Sequence, residues 1–272
     1  MMSGFLAYGF VQRGLLAGSL VAAACALIGV FLVLKRLSLI GDGMSHVCLT
    51  GVAVALLTSS NPVYMSVPVV VLSSLGIMKI TQKFKIYGDA AIGIVSAAGL
   101  SVGLLITAFA GGFNTDLLGY LFGSILTVSW DEVLLCGILL AAVLGGLRFF
   151  YRDLTSACFD EPFARTRGVP VRIVNTALVA VTSVAVVLAF KVVGIFLISA
   201  MLIIPPVSAL LVSHTFKQVL VCAACFGVAS VWLGVYLSFL FNIPSGATII
   251  LVNLLVLAGC YICLLYTSPS PR

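Results

Sequence analysis

Charged side chains are scarce in this chain: Asp, Glu, Lys and Arg make up only 8% of its 272 residues, and there are two histidines. Soluble domains carry about a quarter charged residues, so a water-facing globular fold is excluded. No Gly-Lys dipeptide occurs anywhere, which removes the Gly-x-x-x-x-Gly-Lys-Ser/Thr phosphate loop and with it ATP binding by that route. Neither a nucleophile elbow nor a His-Glu-x-x-His helix is present, so a membrane hydrolase has no support, and the expectation is a protein that is not an enzyme and holds no permanent cofactor. Low-complexity segments and internal repeats are also missing, leaving residues 1–266 as a single membrane domain. What fills the chain instead is hydrocarbon: 62% of residues are hydrophobic and the mean hydropathy is +1.28.

Apolar runs of bilayer-crossing length recur near 14–34, 42–59, 63–79, 90–112, 131–150, 171–190, 192–213, 218–241 and 246–265. The fold class is therefore all-α, a polytopic helical membrane protein with eight to nine transmembrane helices. The segment 116–128 reads as a short re-entrant or interfacial helix. Lys35-Arg36, Lys79/Lys83/Lys85, the stretch from Arg148 to Arg172 and Lys217 all fall on one side of this count, which places them in the cytoplasm. Eight cysteines at this hydrophobicity read as small apolar residues rather than disulfide partners. Cys222-Ala-Ala-Cys225 and Cys260-Tyr-Ile-Cys263 have zinc-like spacing, but each lacks a second ligand pair. The tail after residue 266, Thr267-Ser-Pro-Ser-Pro-Arg272, breaks composition abruptly and reads as non-native.

Within this apolar background Asp42 and His46 stand four residues apart, one helical turn, on one face. Ionisable groups are costly in lipid and mark ion or proton paths. A carboxylate and an imidazole supply oxygen and nitrogen donors suited to zinc, and also to manganese or iron. Two such ligands hold an ion weakly; the same pair from a second copy would make four. The bland alternative is a helix start in which Asp42 caps the backbone. The densest charge lies at about 152–170, where Asp160-Glu161-Pro162 opens a short capped helix that runs past Ala164 and stops at Gly168. Pro205-Pro206, in mid-run, predict a kink or break that is either packing or a gate.

Three segments carry a resemblance: Leu34 to His46, Phe159 to Val171, and Lys191 to Pro206. Together they resemble the permease subunits of bacterial ABC importers for zinc, manganese and iron, the metal-chelate permease family, across residues 13–265. The resemblance implies a homodimeric or otherwise paired permease fed by an extracytoplasmic metal-binding protein and driven by a cytoplasmic ABC ATPase. It implies that Asp42 and His46 are intramembrane metal ligands and that Asp160, Glu161, Ala164 and Gly168 belong to the coupling helix. Zinc is the expected cargo, on the wording Asp-Gly-Met-Ser-His. Two rivals remain: an ABC permease for a bulkier chelate such as a siderophore or cobalamin, and an ion-coupled secondary transporter with the pair as proton relay.

Overall fold

A computed structural model describes residues 9–84, 87–109 and 128–267. Ten helices run through them: α1 Gly9–Leu34, α2 Ile40–Leu57, α3 Pro62–Phe84, α4 Gly88–Phe109, α5 Trp130–Phe159, α6 Glu161–Thr166, α7 Val171–Val193, α8 Ile195–Val212, α9 Phe216–Phe241 and α10 Ser245–Thr267. Eight are long and apolar enough to cross a membrane, and α8 is a shorter apolar helix. Each of the nine expected spans is present as a helix. Residues 116–127 of the expected re-entrant segment, Asp116, Lys85 and the tail 268–272 lie outside the described residues.

The bundle is built around α1, α2 and α8. α1 packs against α5, α7, α8 and α9; α2 is enclosed by α3, α4, α7 and α8; α10 covers α8 and α9. Burial follows this order, since 72% of the α1 span is buried against only 17% of α4 and of α5. Apolar side chains gain little by leaving lipid for one another, so close contact between helices depends on small residues. On α1, Gly18, Ala22 and Ala26 repeat every four residues and lie against Val231 and Gly227 of α9. The indole Nε1 of Trp232 donates to Ser19 Oγ at 3.0 Å across the same seam.

Three contacts fix which helix ends lie together. Phe216, at the start of α9, stacks edge-on against Phe31 near the end of α1 and Phe159 at the end of α5, both at 5.6 Å. Leu37 lies against Gly88 at the start of α4. Ala164 of α6 is buried with Ala157 and Val171. The basic connectors around Lys35, Arg148–Arg172 and Lys217 therefore share one end of the bundle, as the charge count requires.

Two boundaries differ from expectation. α5 does not stop near residue 150 but continues to Phe159, so the first half of the expected charged loop is helix. Its start is fixed by a capping box in which Ser129 and Glu132 exchange hydrogen bonds. α8 also stays helical through Pro205 and Pro206. The two prolines leave the carbonyls of Met201 and Leu202 without their helical donors. Helix α8 begins instead at a break, Gly194, whose φ of +84° ends α7 and starts α8 in a single residue.

The cysteines divide. Cys25, Cys48 and Cys136 are buried as expected, whereas Cys225 and Cys263 face outward; all are free thiols. Among the described residues no three His, Cys, Asp or Glu side chains converge, so neither Cys-x-x-Cys pair has a third such ligand beside it.

Candidate metal site and docking helix

Asp42 occupies the first turn of α2, where the positive end of the helix dipole favours a carboxylate. It does not cap the helix. Leu39 is the N-cap residue with no side-chain bond to the backbone, and Asp42 Oδ1 instead accepts a hydrogen bond from Ser199 Oγ of α8 at 3.1 Å. Ser45 Oγ donates to the Asp42 carbonyl at 2.6 Å, tightening the same turn. One turn further on, His46 Nε2 stands 3.8 Å from Asp42 Oδ2. That separation is too long for a hydrogen bond. Two donors sharing one ion at about 2.1 Å stand about 3 to 3.5 Å apart, so a small rotamer adjustment brings both onto one cation.

The pair is not buried within the single chain: the Asp42 side chain is 53% exposed and that of His46 33%. Helix α2 packs here against both α4 and α8. Gly41 and Gly43 bring those helices close, because a Cβ on Gly41 would lie 2.3 Å from Leu202 Cδ1 and one on Gly43 2.6 Å from Ile92 Cγ2. The glycines flanking Asp42 thus serve packing. Met44 is fully buried between them and offers its thioether to the core, not to the pair.

Helix α8 is tied to this region by a second residue besides Ser199. Leu202, three positions after Ser199, abuts Gly41 with its side chain, and its carbonyl, freed by Pro206, lies against Gly29 of α1. Pro205 and Pro206 therefore seat α8 on α1, where only glycine admits so close an approach. Ser199 and Gly29 were not singled out from the sequence. The signal available for Ser199 was a hydroxyl in an otherwise apolar run, within the segment that also holds the prolines.

At the end of the bundle that carries the basic connectors, Asp160 serves two helices. Its N–H donates to Ser156 O, closing α5, and its Oδ1 accepts from Phe163 N at 2.9 Å, opening α6. Pro162 sits in the first turn, and Glu161 pairs with Arg165 at 2.5 Å. Gly168, at φ +79°, ends the helix in a Schellman arrangement: its N–H donates to Arg165 O and Val169 N–H to Ala164 O. Ala164 points inward and seats α6 on α5 and α7. The outward face carries Phe163, with the Arg167 guanidinium 5.5 Å above its ring. One further contact links this end to the connector that precedes α2. Lys35 Nζ donates to Ala157 O at 2.9 Å, joining the α1–α2 connector to the last turn of α5.

Two other titratable side chains stand apart from the pair. His214 is exposed at the start of α9 and Asp89 is exposed in the first turn of α4. Neither approaches Asp42 or His46 within ion-pair range.

Comparison with known proteins agrees with this architecture. The chain is 33% identical over 255 residues to the manganese transport system membrane protein MntC of Listeria innocua, covering 94% of this chain and 91% of that protein. It is 32% identical over 250 residues to a Haemophilus influenzae protein named as an iron transport system membrane protein, covering 91% of each. Among solved structures, PsaBC from Streptococcus pneumoniae in complex with Fab superposes with a TM-score of 0.85 at 29% identity, covering 99% of this chain and 97% of that one. The model of the ABC 3 transport family matches residues 7–263. With these helices and relatives, the chain is a multi-pass integral protein of a bacterial cell membrane and belongs to the ABC 3 transport family.

Proposed function

We propose that this chain is the membrane-spanning permease of an ATP-driven importer, carrying a divalent transition-metal ion inward past Asp42 and His46. The observation that supports this most is the open half-site: one carboxylate oxygen and one imidazole nitrogen 3.8 Å apart, with the other carboxylate oxygen held by Ser199. A second copy of the chain facing the first would bring the same donors to the same ion and raise the ligand count to four. Such a site binds when two faces meet and releases when they part, which suits a transport intermediate better than a closed structural site. An extracytoplasmic metal-binding protein would deliver the ion. A cytoplasmic ABC ATPase would dock on α6, where Phe163, Arg165 and Arg167 are exposed.

Manganese is the cargo this reading favours, ahead of the zinc that the wording around Asp42 first suggested. Several relatives are named for manganese. Gly43 and Met44, which set that wording, are committed to packing against Ile92 and the core. A carboxylate, an imidazole and a nearby hydroxyl form a hard donor set without thiolate, which accommodates manganese.

The test is uptake of radioactive manganese and zinc into proteoliposomes holding the permease with its ATPase and binding protein. Wild type is expected to take up manganese on ATP addition, and Asp42→Ala and His46→Ala to lose it while still assembling with the ATPase. Equal uptake by His46→Ala would remove the pair from the pathway and return the bulkier-chelate reading to first place.

A further inference from the structure

A second feature lies on the outer surface of the bundle, away from Asp42. Helices α1, α5 and α7 enclose an apolar groove of about 230 Å³, floored by Leu27 of α1 and walled by Ala142 and Gly146 of α5 and Ala177 of α7. The groove opens outward: Phe150 and Ile173 on its rim are 57% and 68% exposed. A single ionisable side chain lines it, Asp153. Among the described residues the Asp153 carboxylate has no ion pair and no hydrogen bond.

Depth decides what can reach that carboxylate. Trp130 begins α5 and is 61% exposed, as an aromatic residue at the outer membrane interface would be. At 1.5 Å per residue, Asp153 lies about 35 Å further along the axis, beyond the hydrocarbon thickness of about 30 Å and level with the headgroups of the cytoplasmic leaflet. The groove below it, at Ala142 and Gly146, lies at acyl-chain depth. Arg148 and Arg152 lie about 140° and 100° around the α5 axis from Asp153, and among the described residues neither lines the groove nor pairs with that carboxylate.

We infer that this groove is a specific lipid site, taking one acyl chain of a cytoplasmic-leaflet phospholipid while Asp153 receives a primary ammonium headgroup. Phosphatidylethanolamine has that chemistry. An anionic headgroup such as phosphatidylglycerol meets only the carboxylate and is disfavoured. The site is independent of the metal pathway.

Two variants separate headgroup from chain. Asp153→Asn removes the charge at constant size, and Gly146→Leu fills the groove where an added Cβ meets nothing within 4 Å, so the fold is not strained. The full chain, purified in mild detergent, is equilibrated with equimolar phosphatidylethanolamine and phosphatidylglycerol of identical acyl chains, and retained lipid is read by native mass spectrometry. Wild type is expected to prefer phosphatidylethanolamine by about fivefold, the ratio that a partly exposed ion pair supports. Asp153→Asn should lose the preference and Gly146→Leu should lose retention of both lipids. Equal retention of the two lipids by wild type, or a preference that survives Asp153→Asn, overturns the proposal. So does cross-linking of two copies through Ala142→Cys, which would make the groove a protein interface.

Discussion

Replacing Gly29 with alanine tests the central seam of the fold and its link to the candidate site in one substitution. A Cβ built on Gly29 would fall 2.2 Å from the Leu202 carbonyl oxygen, 2.8 Å from Pro206 Cγ and 3.0 Å from the Leu202 carbonyl carbon. Carbon and oxygen in contact need about 3.2 Å or a little more, so the shortfall is about 1 Å. The obstacle is backbone of a helix stiffened by two prolines, and no rotamer change relieves it. Either α8 moves about 1 Å away from α1 or the seam is strained, at about 1–3 kcal/mol by the usual cost of overpacking. The displacement does not stay local. Ser199 is one turn before Leu202, and its 3.1 Å bond to Asp42 lengthens past hydrogen-bond range if α8 moves by that much. Gly29→Ala is therefore expected to lower the thermal unfolding midpoint in detergent, followed by tryptophan fluorescence, and also to weaken metal binding. The control is Gly259→Ala, where an added Cβ meets nothing within 4 Å and the better helix propensity of alanine acts alone. If Gly29→Ala is as stable as Gly259→Ala and binds metal as wild type does, the seating of α8 through the freed Leu202 carbonyl is wrong.

Ser199→Ala should raise the metal KM by about tenfold or more, the usual loss on removing a group that orients a ligand, while kcat and assembly hold and Ser199→Thr restores binding. Loss of the Lys35–Ala157 bond in Lys35→Met is expected to leave metal binding intact but lower the metal transported per ATP hydrolysed, with Lys35→Arg recovering part of it; an unchanged ratio removes Lys35 from the coupling. Gly168→Val forces a branched side chain into φ +79°, costing about 1–2 kcal/mol and loosening the end of α6, so co-purification of the ATPase should fall more than for a Val at exposed Thr166.

Much of this architecture was legible in the residues. The runs between polar breaks located all nine apolar helices, because a segment facing lipid must satisfy its backbone internally and shows this as unbroken hydrophobicity. Boundaries were harder. α5 runs nine residues past the expected end at 150, because helix continues into water as readily as it ends there, and only Asp160 provides a stop. The proline pair suggested a break, yet the break is at Gly194. Proline removes donors at positions whose freed carbonyls can be accommodated by a neighbour, while a positive φ at glycine turns the chain outright.

The sequence by itself determined the solvent, the number of apolar helices, the side on which the basic connectors lie, the short helix capped by Asp160 and stopped by Gly168, and the one acid–imidazole pair at helical spacing. Each of these is written within one turn or one run of residues. What only the tertiary structure decided was everything that joins distant segments: Ser199 holding Asp42 across 157 positions, Lys35 reaching Ala157 across 122, Leu202 pressed between Gly29 and Gly41, and a lone carboxylate at the mouth of an apolar groove. The physical reason is that hydropathy names the solvent each helix prefers but not its neighbour. In a bundle where lipid and protein are almost equally apolar, the neighbour is chosen by glycine-sized gaps and single polar contacts, which appear only when the helices are packed.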